Sequence, residues 1–182
     1  MKIGTDGVLL GAWSPLINNP YNVLDIGAGT GILSLMLAQR SKAEQIDAIE
    51  IDEDAYEQCV ENFEASPWGD KLFCFHAGLD EFVDEPEDEY DLIISNPPFY
   101  TDSVIIPYKE EERFVAMCKE LDLFPLKITR VKGTPTSEIK RSLLAFCRIE
   151  QTPLIDELII EISRHNYTSE YIELTKEFYL KM

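Results

Sequence analysis

Val23-Leu24-Asp25-Ile26-Gly27-Ala28-Gly29-Thr30-Gly31 is an apolar segment that runs into glycines at alternate positions, and a second apolar segment, residues 32–38, follows it. This pattern predicts a strand, a glycine-rich turn and a helix. Glycines let the backbone approach a ligand closely, and the start of a helix presents free N–H groups. The arrangement suits a nucleotide-type cofactor, although the G-x-G-x-G spacing differs from the G-x-G-x-x-G of dinucleotide-binding enzymes.

Strand and helix patterns continue to alternate along the chain. Such alternation predicts an α/β fold with a doubly wound, mainly parallel sheet. At 182 residues the chain is long enough for one domain with a substantial core, and we expect residues 1–182 to form a single domain. The strands are expected over 22–26, 45–51, 72–76, 91–95, 103–107, 126–132, 140–146 and 154–162. The helices are expected over 8–13, 32–40, 54–65 and 109–121, with a terminal helix that residues 167–170 open.

A second motif, Asn96-Pro97-Pro98-Phe99, follows an apolar run that predicts a buried strand. The prolines end that strand, so the motif lies at its carboxyl end, where open α/β sheets bind ligands. The Asn96 amide oxygen and a backbone carbonyl would accept the hydrogens of an exocyclic NH2 group, and Phe99 would stack on the attached ring. Asn-Pro turns are common, so the tetrapeptide alone indicates a simple turn equally well.

An acidic residue, Glu50, ends another predicted strand about 20 residues beyond the glycine-rich turn, at a distance suited to binding ribose hydroxyls. The glycine turn, this acid and Asn96-Pro97-Pro98-Phe99 together indicate a nucleotide-cofactor enzyme far more strongly than any one of them does.

These residues resemble a known family. Residues 25–31 look like motif I of S-adenosylmethionine-dependent methyltransferases, and residues 96–99 look like motif IV of enzymes that methylate exocyclic or amide nitrogens. Residues 2–13, 131–144 and 171–180 are similar to the bacterial tRNA1(Val) (adenine-37-N6)-methyltransferase family, and the similarity covers nearly the whole chain. The resemblance implies a Rossmann-like class I methyltransferase fold with an antiparallel C-terminal strand, and S-adenosyl-L-methionine as the cofactor.

The resemblance also implies roles for individual residues. Lys2, Thr5 and Asp6 would contact the methionine end of the cofactor. The glycine-rich turn that binds the cofactor would comprise Asp25, Gly27, Gly29 and Gly31, and Glu50 would bind the ribose. Asn96, Pro97 and Phe99 would be catalytic, and Pro98 would contact the substrate. The alternative for Thr5 and Asp6 is an ordinary N-terminal cap, with one of them starting the first helix; the cofactor contact is the favoured interpretation.

The segment after the third strand departs from the family. An acid usually follows the alanine at position 77, where it meets the cofactor's adenine, but this chain has Gly78 there and Asp80 two residues on. We expect either Asp80 or the backbone to supply the adenine contact.

The formal net charge of −18 is unusual for a nucleic-acid enzyme. The charges are unevenly distributed, however: residues 44–91 hold 18 of the 34 acidic residues, and residues 109–150 hold 9 of the 16 basic ones, including Lys127, Arg130, Lys132, Lys140 and Arg141. Lys140 and Arg141 could bind tRNA phosphates, or could form a charged strand edge that discourages aggregation.

The function expected from these features is N6-methylation of adenine in tRNA, at A37 of the anticodon loop of tRNA1(Val). The alternatives are N5-methylation of a glutamine in a protein such as a release factor, and a non-catalytic cofactor-binding module. DNA adenine methylation is disfavoured because no target-recognition domain is visible.

Other sequence features limit the setting of the protein. The family has further chain before residue 1, and the short connection between the strands expected at 91–95 and 103–107 predicts a missing segment near 101–103, because a parallel crossover needs a dozen or more residues. Scattered cysteines and isolated histidines predict no metal site and reduced thiols. No apolar run is long enough for a membrane span. We expect a cytoplasmic monomer.

Overall fold

A computed structural model describes residues 4–17, 19–83, 89–96 and 103–179. The chain divides into two compact units, Met1–Pro97 and Pro98–Met182. The division falls inside the Asn96-Pro97-Pro98-Phe99 motif.

The first unit contains a parallel sheet with the strand order β3-β2-β1-β4. Strand β1 pairs in parallel with β2 on one side and with β4 on the other, so the chain reverses its direction of travel across the sheet at β1. The carboxyl ends beside such a reversal form the usual ligand crevice of α/β sheets. The strands are β1 (Asn22–Ile26), β2 (Gln45–Glu50), β3 (Leu72–His76) and β4 (Leu92–Ser95), and the helices are α1 (Thr5–Trp13), α2 (Ile32–Arg40), α3 (Glu53–Glu64) and α4 (Leu79–Val83).

Helix α1 is a core helix, because every residue from Gly7 to Trp13 is buried. Gly11 allows α1 to pack closely against α2: a Cβ atom at Gly11 would lie 2.7 Å from Met36 Sδ. Helix α3 is instead amphipathic, and the Asp52 side chain caps it by accepting a hydrogen bond from Ala55 N at 2.9 Å.

The second unit contains a mixed sheet with the strand order β5-β7-β6-β8. Strand β7 is antiparallel to both β5 and β6, whereas β8 runs parallel to β6. Helix α5 packs on one face through Phe114 and Cys118, which join Ile128, Leu144 and Phe146 in a buried cluster. The elements are β5 (Ser103–Pro107), a 3-10 turn (Tyr108–Glu110), α5 (Glu111–Glu120), β6 (Phe124–Lys132), β7 (Ile139–Cys147), β8 (Leu154–Ile159), β9 (Glu161–Ser163), β10 (Asn166–Tyr167) and α6 (Ser169–Thr175).

The α/β class, the parallel strands and the antiparallel C-terminal strand are confirmed. The strand expected over 154–162 is divided, because Ile160 N bonds to Lys132 O at 3.0 Å and Ile160 O accepts from Thr168 N at 3.0 Å. The chain thereby leaves β6 and starts the β9–β10 hairpin, whose residues carry no hairpin signal in the sequence. Within the described ranges no helix is both long and apolar enough to cross a membrane.

Candidate active site

The glycine-rich turn joins the carboxyl ends of β1 and β2. Gly27, Gly29 and Gly31 have φ angles of 71°, 58° and 76°, in the left-handed region that other residues rarely adopt. Gly27 N and Ala28 N both donate to Ile49 O, at 2.9 and 3.1 Å. The turn therefore has a fixed shape and opens directly into the start of α2.

Gly31 is required for packing as well as for its φ angle. A Cβ atom there would lie 2.5 Å from Phe63 Cε1 and 2.8 Å from Cys59 Sγ. Asn62, on the same helix α3, donates from Nδ2 to Thr30 O at 2.9 Å. Helix α3 thus packs against the glycine-rich turn and fixes its position.

Asp25 caps helix α2 from the neighbouring strand. Its Oδ2 accepts hydrogen bonds from Ser34 N at 3.2 Å and from Ser34 Oγ at 2.8 Å. The side chain is fully buried, and Oδ1 has no hydrogen-bond partner among the residues that the structure describes. Its contribution to a cofactor site is therefore to fix the start of α2, where backbone N–H groups face a ligand.

Burial raises the pKa of Asp25 from 3.8 to about 7; the Ser34 hydrogen bonds oppose this rise, and the Glu50 charge adds to it. An unfolded chain releases this proton near pH 4. The folded protein therefore binds more protons than the unfolded chain between about pH 4 and 7. The resulting stability is complete below pH 4 and is lost as the pH rises to about 7.

Asp25→Asn is expected to abolish the loss of stability with rising pH, because asparagine keeps an acceptor for Ser34 but carries no charge to bury. The melting temperature of the variant minus that of the wild type should rise as the pH increases from 5 to 8, measured by thermal unfolding. The matched control is Asp54→Asn, an exposed first-turn residue of α3, for which the difference should stay constant. A flat difference for Asp25→Asn would contradict the buried-carboxyl explanation.

Glu50 is anchored to the backbone at the end of β2. Its Oε2 accepts from Gly29 N at 2.7 Å, and its Oε1 accepts from Ile51 N at 2.8 Å and from Asp52 N at 3.0 Å. A carboxylate has about four acceptor positions, so these three bonds leave capacity on Oε2 for one hydroxyl. Glu50 thus connects the turn to β2 and can still accept a ribose hydroxyl.

A cavity of about 480 Å³ lies beyond the ends of β2 and β3. Its lining includes Ile51, which is 76% exposed, together with Gly78 and Asp80. His76 stacks on Tyr56, with ring centroids 5.2 Å apart, and its Nε2 lies 3.1 Å from Ile51 O. An exposed isoleucine held over an open cavity provides an apolar surface for a flat heterocycle.

Asn96 lies at the carboxyl end of β4, next to the start of α1. Its side chain is exposed and makes no hydrogen bond to the described residues. A Cβ atom at Gly7 would lie 3.3 Å from Asn96 Nδ2, so Gly7 provides the space that the amide occupies. Ser95 Oγ, one residue earlier, donates to Ile26 O at 2.8 Å and ties β4 to the end of β1.

Thr5 and Asp6 form the first turn of α1, near Asn96. The N-cap residue is Gly4, which makes no side-chain capping bond, so neither Thr5 nor Asp6 is the helix cap. Their predicted contact with the cofactor's methionine end stays a prediction. Lys2, Pro97, Pro98 and Phe99 lie outside the described residues, as does most of the predicted break at 101–103.

Lys140 and Arg141 lie in the second unit, at the start of β7. Lys140 is exposed, and Arg141 is half-buried. Of the five cations that the sequence analysis named between residues 109 and 150, three pair with acids. These pairs are Lys127–Asp156 at 3.6 Å, Arg130–Glu111 at 2.7 Å and Lys132–Glu157 at 2.8 Å.

Three contributors to the site carry no recognisable sequence signal: Gly7, which gives Asn96 room, Ser34, which binds Asp25, and Asn62, which holds the turn. Each depends on a partner distant in sequence. No cluster of three or more metal-ligating side chains occurs in the part of the chain that the structure describes.

The residues present fit a nucleoside cofactor with a charged tail. A left-handed glycine turn exposes backbone at the start of a helix, Glu50 keeps an acceptor position, and the cavity beside Ile51 can hold a base. The parallel sheet, the turn and the exposed Asn96 at the next strand end define the class as a Rossmann-like methyltransferase.

Comparison with known proteins agrees with this class. Residues 9–121 match the family model of the methyltransferase small domain. A predicted O-methyltransferase from Agrobacterium tumefaciens has a similar structure, with a TM-score of 0.77 and 20% identity over 94% of this chain and 96% of that one. TrmK of M. capricolum, solved with S-adenosyl-homocysteine, has a TM-score of 0.62 and 15% identity, over 86% and 72% of the two chains. These likenesses show the fold.

Sequence similarity specifies the family. The tRNA1(Val) (adenine(37)-N6)-methyltransferase of Flavobacterium johnsoniae is 62% identical, over 100% of this chain and 94% of that protein. The chain belongs to the tRNA1(Val) (adenine(37)-N6)-methyltransferase family.

Proposed function

We propose that this protein uses S-adenosyl-L-methionine to methylate N6 of adenine 37 in tRNA1(Val). The observation that carries the proposal is the 62% identity, over the whole chain, to a relative of that name. The arrangement of the glycine turn, Glu50 and Asn96 at neighbouring strand ends supports it, because the reaction needs a bound nucleoside cofactor beside an acceptor for an amine.

The first unit is suited to binding the cofactor, which supplies a methyl group on a sulfonium. Backbone N–H groups at the start of α2 and the first turn of α1 would hold its polar tail. Glu50 would accept a ribose hydroxyl through its remaining position on Oε2. Ile51 would cover one face of the adenine in the cavity beside Gly78. The protein's task is then positioning and exclusion of water.

Asn96 would position the target amine. The adenine N6 lone pair is delocalised into the ring, so acceptors that hold the N–H hydrogens favour a more tetrahedral, more nucleophilic nitrogen. We propose that Asn96 Oδ1 and the Pro97 carbonyl are these acceptors and that Phe99 stacks on the base. The base must leave its stack to reach Asn96, and an anticodon-loop position lowers that cost.

The direct test is methyl transfer from radiolabelled S-adenosylmethionine to tRNA taken from a strain that lacks the activity, followed by nucleoside digestion. Label in N6-methyladenosine of tRNA1(Val) alone is the expected result. Label only in release factor or DNA would overturn the substrate and keep the chemistry. Cofactor binding without transfer to any acceptor would instead identify a non-catalytic module.

We further propose that the chain is one methyltransferase domain that lacks an internal segment. Its alignment with the F. johnsoniae relative spans 220 positions, more than the 182 residues of this chain, so that relative has residues with no counterpart here. The short sequence between β4 and β5 supports the region near 101–103 as the site of the difference. A cytoplasmic location is proposed because the enzyme must reach tRNA, and a monomer is the proposed oligomeric state.

Gly78→Asp is expected to strengthen cofactor binding, because it would restore an acid at the edge of the adenine cavity. The site has room: a Cβ atom there would have only Ile51 Cδ1 within reach, at 4.0 Å. One added hydrogen bond to the adenine amine contributes about 1 kcal/mol, so Kd should fall about fivefold. Titration calorimetry measures it, with Gly78→Ala as the control that leaves Kd unchanged. Weaker binding by Gly78→Asp would show that adenine lies elsewhere.

A further inference from the structure

One edge of the second unit brings an exposed aromatic ring together with cations. In the sheet register, Pro107 of β5 and Val131 of β6 both pair with Arg141 of β7. Tyr108 immediately follows Pro107, and Lys140 immediately precedes Arg141. The 3-10 turn that contains Tyr108 also packs against β7. Tyr108 and Lys140 therefore lie at the same end of adjacent strands.

Tyr108 and Arg130 form a cation–π pair at this edge. The Arg130 guanidinium carbon lies 5.5 Å from the centre of the Tyr108 ring. Tyr108 is 37% exposed, and the Arg130 side chain is 33% exposed. The Tyr108 hydroxyl has no hydrogen-bond partner within the described ranges. The ring thus presents a flat surface and a free hydroxyl beside a cation.

A buried carboxylate fixes the position of Arg130. Glu111, at the start of α5, accepts from Arg130 Nε at 3.2 Å and from Arg130 Nη2 at 2.7 Å, and it also accepts from Ser142 Oγ. Arg130 Nη1 has no such bond to any described residue. One face of the guanidinium fork is therefore held by the protein, and its remaining nitrogen is available to an external acceptor.

Lys140 differs from the other lysines of this sheet in that no acid neutralises it among the described residues. Lys127 and Lys132 are neutralised by acids of β8. Lys140 is exposed and forms no ion pair with a described residue. It is also the extra residue of a β-bulge, because Val131 pairs with Arg141 and Lys132 pairs with Ile139. Bulges commonly redirect a side chain at a binding edge.

Two of the acids near this edge are engaged. Glu111 is bound by Arg130, and Glu110 lies 4.0 Å from Arg113. Glu138, one residue before β7, and Glu112, whose charge interacts with that of Arg130, are both exposed and would repel an anion here. In a chain of net charge −18, an edge with an arginine, a lysine and a half-exposed tyrosine is complementary to a polyanion with flat bases.

We propose that Tyr108, Arg130 and Lys140 form a nucleotide-docking edge for single-stranded RNA of the substrate. The Tyr108 ring stacks on one base, and Arg130 Nη1 and Lys140 Nζ contact the adjoining phosphates. The inference rests on the proposed function and adds residues that fix the RNA without taking part in methyl transfer. It concerns binding of RNA other than the target adenine itself.

The test compares KM for tRNA with kcat in the full chain. Tyr108→Ala should raise KM about tenfold, because stacking on one base contributes about 1–3 kcal/mol, while kcat and cofactor affinity change less than twofold. Tyr108→Phe, which keeps the ring, should stay within about twofold of the wild type. Tyr108→Leu keeps apolar bulk without a flat ring and should raise KM by the same factor. It tests the loss of the ring even if Tyr108→Ala folds poorly.

Charge variants test the phosphate contacts. Lys140→Ala should weaken tRNA binding and reduce the slope of log K against log salt by about 0.7, the value for one phosphate contact to a single strand. Glu138→Gln should strengthen tRNA binding. Lys127→Ala is the control and should change neither the tRNA affinity nor the salt slope.

Unchanged KM in Tyr108→Ala and Tyr108→Leu, or an equal salt slope in Lys140→Ala, would overturn the docking edge while tRNA methylation by the wild type still held. The docking edge would also be overturned if the Tyr108 and Lys140 variants lost binding to a protein acceptor and kept binding to tRNA. Absence of any tRNA methylation by the wild type would contradict the proposed function itself, which separates the two failures.

Discussion

Asn96→Ala is expected to reduce methyl transfer to tRNA by at least about 10²-fold, the cost of removing one preorganised polar group from an active site. The side chain is exposed and has no hydrogen bond to the described residues, so its amide is free for a substrate amine. Because nothing in the fold depends on that amide, cofactor affinity and melting temperature should stay at wild-type values. Single-turnover transfer, calorimetry and thermal unfolding measure the three quantities.

Asn96→Asp is the matched variant for this prediction. Aspartate keeps an oxygen acceptor at the same position, so it should retain more activity than alanine. Equal activity of the wild type and the alanine variant would remove Asn96 from the mechanism. A fall in melting temperature of several degrees with Asn96→Ala would show that the residue supports the structure.

Gly31→Ala is expected to destabilise the protein and to abolish cofactor binding. The left-handed φ of 76° costs an alanine about 1–2 kcal/mol, and a Cβ atom only 2.5 Å from Phe63 Cε1 adds an overpacking cost of about 1–3 kcal/mol. A loss of about 3 kcal/mol is a large part of the stability of a typical domain and should lower the melting temperature by roughly 6–12 °C. The turn would also shift, which misplaces the start of α2. Thermal unfolding and cofactor titration measure both effects.

Gly78→Ala is the matched control for Gly31→Ala, because the same substitution there meets no crowding and no left-handed φ. Its melting temperature should stay near the wild-type value. The double variant Gly31→Ala/Phe63→Leu should recover part of the lost stability, since leucine removes the ring edge that the new methyl group meets. An equal loss for Gly31→Ala and Gly78→Ala would refute the packing explanation.

The sequence located most elements because their signals are local. Strand β1, the turn and α2 were predicted within their observed bounds, since an apolar run, glycines and a second apolar run specify them without distant partners. Helix α1 begins at Thr5, nearer the N-terminus than the expected start at residue 8, and its N-cap residue, Gly4, makes no side-chain capping bond. The strand expected over 154–162 is divided at Ile160, and that division depends on hydrogen bonds to Lys132 and Thr168, which sequence periodicity does not reveal.

The candidate site was only partly visible in the sequence. Spacing alone suggested that Glu50 binds ribose, yet the structure shows three backbone hydrogen bonds to its carboxylate. The charge count showed where basic residues concentrate, yet only the structure shows that Lys127, Arg130 and Lys132 pair with acids. Side-chain pairing depends on which strands become neighbours, and residue order does not state this directly.

The sequence by itself determined the α/β class, the methyltransferase family and the motifs at positions 25–31 and 96–99, because glycines, prolines and alternating apolar runs act on the backbone locally. Only the tertiary structure decided that Asp25 caps α2 by accepting from Ser34, that Gly7 makes room for Asn96, and that Arg130 forms a cation–π pair with Tyr108. These contacts join residues 9 to 89 positions apart, and only the packing of strands and helices brings such residues within hydrogen-bonding or van der Waals distance.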